Sequence, residues 1–223
     1  MDTFERFFDL AGSLICHQLP TRSLYAGTYQ LPVCARDMGI YAGIFTAALF
    51  IALFRRFGAQ RPPRISSSVL LCLMMFPMIL DGILSYAGII GSNNMVRVFS
   101  GCMFGLPIPY FLVPAAHYDA DGENEEPVLK NLAEFVPALV AGLLLCFLLL
   151  EGMVPYILAG TVFLTGLLFL LGRLTYTIFA RMRRFSGVKL MACTTLGTIG
   201  VLTFLYLLST LVFQPLKEVF LNL

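Results

Sequence analysis

The chain has no tryptophan, and only 13% of its residues carry charge against a hydrophobic share of 58%. Soluble domains carry about 25% charged residues. So little charge cannot cover so much apolar surface in water, which excludes a soluble globular domain and points to an integral membrane protein. Without tryptophan, anchoring at the membrane surface falls to Tyr, Arg and Lys. The formal net charge is only +2, and no basic patch is interleaved with aromatics, so nucleic acid is excluded as a partner. A phosphate-cradling glycine loop, a serine–histidine–aspartate arrangement and an H-E-x-x-H zinc-protease motif are all missing. There is no internal repeat, and no paired broken helices in repeated halves that would suggest a transporter. The stretch "HYDADGENEE" lacks the spacing and closing glutamate of an EF-hand.

What is present is a series of apolar runs. A membrane-crossing helix needs roughly 20 apolar residues. Six stretches qualify: 38–57, 65–90, 95–116, 131–150, 154–180 and 188–213. The predicted fold is all-α, a polytopic transmembrane bundle of about six spans. Pro107, Pro109 and Pro114 should kink or break the third span. Gly39/Gly43 and Gly101/Gly105 form G-x-x-x-G pairs that predict close helix packing within the chain, with dimerisation as the alternative.

The opening stretch "MDTFERFFDLAGSLI" is expected to stay with the protein, since its charges are scattered and it has no A-x-A-like site. Phe4, Phe7, Phe8, Ala11, Leu14 and Ile15 recur at helical spacing. They fit an amphipathic helix on the bilayer surface, or a short helix packed on the core. The chain therefore divides into an N-terminal amphipathic and motif segment, 1–37, and a transmembrane region, 38–223, within one domain overall.

Charge sets the expected orientation. Arg55, Arg56, Arg61 and Arg64 lie between the first two spans, and Arg181, Arg183, Arg184 and Lys189 between the last two. Both clusters fall on one side, which should be cytoplasmic. The acidic loop with Asp119, Asp121, Glu123, Glu125 and Glu126 falls there too. Both termini and the turn at 91–94 then face away from the cytoplasm. Glu134 and Arg173 lie near the cytoplasmic ends of their spans, where they can snorkel or pair.

Two polar groups share that outer face. The first is Cys16, His17, Cys34 and Asp37. Thiolate, imidazole and carboxylate all bind zinc-type transition metals. Cys34 and Asp37 stand three apart, within reach of one ion. Alternatively Cys16 and Cys34 form a disulfide, or both are reduced packing residues. Arg22 and Arg36 lie in the same segment and offer planar guanidinium forks to an anionic lipid or small-molecule ligand. The second group is Asp81 inside the second span, with Arg97, Asn94, Asn93 and Ser85 near it. A carboxylate in hydrocarbon costs about 2.5–3.5 kcal/mol and needs a partner. Arg97 is its nearest candidate in sequence.

These stretches, "CHQLPTRS", "LPVCARDMGIYAG" and the spaced "DG", "SNN", R and "SG", resemble a bacterial membrane protein family known as domain of unknown function 2085. The resemblance covers Cys16 to about Gly105. It implies that Cys16, His17, Gln18, Pro20, Arg22, Ser23, Cys34, Arg36, Gly39, Asp81, Asn94, Arg97 and Gly101 occupy motif positions. The second element of that pattern usually reads C-A-R-C. Asp37 stands here in place of its last cysteine, which removes a C-x-x-C redox pair but leaves a metal site intact.

The leading expectation is a bacterial inner-membrane protein with an extracytoplasmic metal site at Cys16, His17, Cys34 and Asp37. Beside it lies a polar pocket of Gln18, Arg22, Arg36, Asp81, Asn94 and Arg97. The alternatives are a thiol–disulfide protein linked to a quinone, and a non-enzymatic scaffold or lipid-binding subunit. The residues assign no reaction, no substrate and no oligomeric state.

Overall fold

Among the described residues, six helices long and apolar enough to cross a membrane emerge from the six apolar runs. In hydrocarbon each backbone N–H and C=O must be satisfied internally, and a helix does this within one segment. The computed structural model describes residues 3–120, 122–182 and 186–213. Asp121, Arg183 and Arg184, named above for their charge, lie outside the described residues.

Helix α1, Thr3–Ser13, precedes the spans. A hairpin follows, with strands β1, Ser23–Ala26, and β2, Tyr29–Cys34. The spans are α2, Ala35–Leu53; α3, Ile65–Tyr86; the pair α4, Asn94–Gly105, and α5, Ile108–Ala115; α6, Val136–Leu150; α7, Tyr156–Arg181; and α8, Gly187–Leu208. The third span breaks between Gly105 and Ile108, where Pro107 interrupts the helix as the proline pattern predicts.

Helix α2 is the axis of the bundle, in contact with α4, α5, α6 and α7. Its seam with α4 is made by glycine. A Cβ on Gly39 would lie 2.1 Å from the Val98 carbonyl oxygen, and one on Gly43 2.6 Å from that of Cys102. From the other side, a Cβ on Gly101 would lie 2.3 Å from the Arg36 oxygen and one on Gly105 2.0 Å from that of Ile40. The two G-x-x-x-G pairs face each other, so they pack this chain's own helices. Helices α3 and α8 are peripheral: α3 buries only Leu71 and Asp81, and α8 buries none of its described residues. Their exposed Ile, Leu, Val and Phe side chains are the surface that lipid covers.

The hairpin was not legible in the sequence. A two-residue turn, Gly27–Thr28, joins its strands, and Gly27 sits at φ 62°. Only glycine takes that first turn position without strain. The strands bury Leu24, Leu31 and Val33 against the bundle, and β2 runs directly into α2. Helix α2 consequently starts at Ala35, three residues ahead of the predicted start.

Helix α1 divides its apolar side. Phe8 is buried, with its ring against Gly160 and Tyr156 of α7, while Phe4, Phe7 and Leu10 are exposed. It therefore packs on the core with one stripe and presents another outward. Tyr156 donates its hydroxyl to Asp9 Oδ1 at 3.0 Å. Burial raises the Asp9 carboxyl above its ordinary range, the Tyr156 bond opposes that, and the Glu5 charge adds to it. The folded state thus holds this proton more tightly than the unfolded chain. The resulting stabilisation is complete below the unfolded value and lost as pH rises through the folded one. Asp9→Asn is expected to flatten this part of the pH–stability curve, with thermal unfolding across the carboxylate range as the measurement.

The two ends of the bundle are tied separately. At one, Arg56 forms a two-point pair with Glu134, at 2.5 and 3.1 Å, and Arg173 donates to the carbonyls of Phe57 and Val113 at 2.9 and 3.0 Å. At the other, Asn94 donates to Ser23 O at 3.1 Å and Ser209 to Ser13 O at 2.8 Å. The early motif, the 91–94 turn and the last described turn therefore gather at one end.

Candidate functional site

Cys16 follows α1 in a turn whose N–H bonds to Gly12 O at 3.0 Å. Gln18 takes φ 52°, an uncommon conformation for a side-chain-bearing residue. Its side-chain amide holds that shape, donating to Asp9 O at 2.8 Å and Pro32 O at 2.9 Å. Gln30 donates back to Gln18 O at 2.8 Å. Gln18 is thus a staple between α1 and β2, its amide donors committed to main-chain carbonyls.

This fold-back lays Cys16 beside Cys34. Cys34 is the last residue of β2 and the N-cap of α2. Its backbone N–H points at Cys16 Sγ, 3.2 Å away, and its own Sγ donates to Asp37 Oδ2 at 3.2 Å. Asp37 lies in the first turn of α2, where the free N–H groups favour negative charge. One ligand atom from each of Cys16, Cys34 and Asp37 lies within 4.8 Å of the others. His17 is exposed and outside this group, although adjacent to Cys16 in sequence. Neighbouring side chains diverge, and here only Cys16 joins the group of three.

The Cys34 side chain beside it holds the Cys16 thiol below the ordinary thiol range, against burial and the Asp37 charge. Contact with Cys16, then burial, then Asp37 push the Cys34 thiol well up. Both cysteines are free thiols.

The two polar groups meet through Arg36. Its Nη2 pairs with Asp81 Oδ2 and lies 3.4 Å from Ser85 Oγ. Asp81 therefore finds Arg36 rather than Arg97, the partner nearer in sequence. The reason is register: Arg36 sits in the first turn of α2, level with Asp81 near the end of α3. Arg97 instead donates to Asn94 Oδ1 at 3.2 Å, one turn back on its own helix. Arg22 lies over the Tyr86 ring at 5.5 Å and Arg36 at 5.9 Å. Arg22, Arg36, Tyr86, Cys16, Cys34 and Asp37 line one cleft of about 380 Å³, with His17 at it too. Asn94 lies apart from it, holding β1 to α4.

Residues 16–111 match the family described as "Predicted membrane protein (DUF2085)". Over 94 residues the chain is 32% identical to an "Uncharacterized protein" of Methanothermobacter thermautotrophicus, covering 41% of this chain and 78% of that one. The chain belongs to this family. It is also 29% identical over 102 residues to "Uncharacterized protein MJ1492" of Methanocaldococcus jannaschii, covering 46% of this chain and 64% of the relative's length. No solved structure matches. Apart from Ile15, the residues that line the cleft lie within the matched stretch.

Proposed function

We propose that this multi-pass membrane protein holds a zinc-type metal ion at Cys16, Cys34 and Asp37. The supporting observation is the approach of three donors from two separate chain segments to within 4.8 Å of one another. Sulfur and carboxylate suit zinc and its neighbours. Three protein ligands leave a position for water or a substrate, the arrangement of a reactive rather than a purely structural zinc site. The cleft beside it gives that position access to solvent. His17, outside the group of three, stands at the rim. Asp37 takes the place where the family pattern, as the resemblance has it, carries a further cysteine, and supplies oxygen in place of sulfur.

In this reading the site faces away from the cytoplasm, in the plasma (inner) membrane, with both termini on the same side. Arg55, Arg56, Arg61, Arg64, Arg181 and Lys189 lie toward the opposite end, as the positive-inside rule requires. Elemental analysis of detergent-purified protein is expected to find about one ion per chain, and Cys34→Ser to reduce it to near zero with the helical circular dichroism intact. Folded wild-type protein without metal after growth in metal-replete medium contradicts the proposal.

A second reading rests on the contact between Cys34 N–H and Cys16 Sγ, which lays the two sulfurs side by side. Joined as a disulfide, the pair would release two protons and pass two electrons to an oxidant such as a membrane quinone. Counting alkylatable thiols before and after reduction separates the readings. A redox pair gains two on reduction, whereas a metal site gains them on chelation alone.

A further inference from the structure

We infer that the cleft is also a binding site for a phosphate-type oxyanion, gripped by Arg22 and Arg36. Three guanidiniums converge here. Arg22 and Arg36 line the cleft, and Arg97 lies close enough to feel the charges of both. Two carboxylates oppose them, Asp81 beneath Arg36 and Asp37 beside Cys34. One positive charge is left over. A divalent ion held by two thiolates would not alter that surplus, because the charges it brings and the protons it displaces cancel.

The donors are also unspent. Among the described residues Arg22 makes no hydrogen bond through its guanidinium; its one recorded contact is the face of Tyr86. Arg36 Nε is buried and unpartnered, although Nη2 is anchored on Asp81. A buried guanidinium with idle N–H groups is costly unless something accepts from them. Arg22 and Arg36 both lie over the Tyr86 ring, at 5.5 and 5.9 Å, and both line the cleft, which brings two planar forks to one site. That geometry suits the several oxygens of a phosphate better than a single point acceptor. The Asp81 pair fixes Arg36 in place where it lines the cleft.

Tyr86 closes α3 and is 75% exposed, so the cleft opens where that span leaves the hydrocarbon. Phosphate could come there from an anionic lipid headgroup or from solution, and the same donors would take either. Neighbouring Leu19 and Ile15 supply apolar wall for an acyl or organic substituent.

The test is the melting temperature of the detergent-purified full chain, followed by circular dichroism and titrated separately with phosphatidylglycerol and with sodium phosphate. Sodium chloride at matched ionic strength is the control. Saturable stabilisation is expected from at least one phosphate source beyond the chloride effect. Arg22→Gln should raise the half-maximal concentration about tenfold or more. Response to phosphatidylglycerol alone identifies a headgroup site, and response to sodium phosphate a site for free phosphate. No saturable effect from either, or equal affinity in Arg22→Gln, overturns the inference. Arg22 lies outside the three metal donors, so metal content in the same Arg22→Gln samples reports separately on the metal proposal.

Discussion

Gly101→Leu is expected to separate α2 from α4 and leave little folded protein. Even a Cβ at this position would sit 2.3 Å from the Arg36 backbone oxygen, with Ile40 N at 3.1 Å. A side chain can turn away from such an intrusion, but a helix backbone cannot. Overpacking costs about 1–3 kcal/mol where side chains can shift, and more where they cannot. In a chain of this size each kcal/mol moves the melting temperature by about 2–4 °C. A drop of about 10 °C or more is the expected result, measured in neutral detergent. Gly82→Ala provides the contrast, because nothing lies within 4 Å of a Cβ there. Its helix propensity improves by up to about 1 kcal/mol, so its melting point should hold or rise. Equal melting of wild type and Gly101→Leu would mean that this seam is not the axis of the bundle. The same substitution also moves Arg36, so ligand and metal binding should fall with stability.

Asp81→Leu is expected to produce the other large loss. The side chains of Arg36 and Asp81 are only 12% and 4% exposed. Removing one member of a buried pair strands the other charge, at a cost of about 3–5 kcal/mol. The double variant Arg36→Met/Asp81→Leu should recover much of that loss, since neither charge remains to be desolvated. A double-mutant cycle read by thermal unfolding measures the coupling. Arg97→Gln on the Asp81→Leu background should show far weaker coupling, because Arg97 bonds to Asn94 instead. If Arg97 coupled to Asp81 as strongly as Arg36 does, the pairing described here would be incorrect.

The membrane class, the six spans and the break in the third were legible in the sequence for a simple reason. Each depends on local composition: runs of apolar side chains, and proline removing an N–H. The glycine seam was legible too, because small residues four apart mark one face of a helix whatever its partner. Asp81 announced its need for a partner through its apolar neighbours. Which arginine answers was not legible, since proximity in sequence favoured Arg97 while helix register favours Arg36. The hairpin escaped notice because "LYAGTYQLPV" reads as a loop before a hydrophobic run, and its only turn signal is a single glycine. Gln18 lines the cleft as a pocket residue would, but that its amide also staples Asp9 and Pro32 was not legible.

By itself the sequence determined that this chain lives in a bilayer, roughly where it crosses, and which polar residues call for explanation. Those conclusions follow from the cost of placing charge or unpaired backbone in hydrocarbon, which is charged residue by residue and needs no neighbour. Tertiary structure alone decided that Cys16 reaches Cys34, that His17 stays outside, and that Arg36 joins the two polar groups. Such choices depend on how a hairpin turns and how two helices slide past each other, and no local energy carries that information.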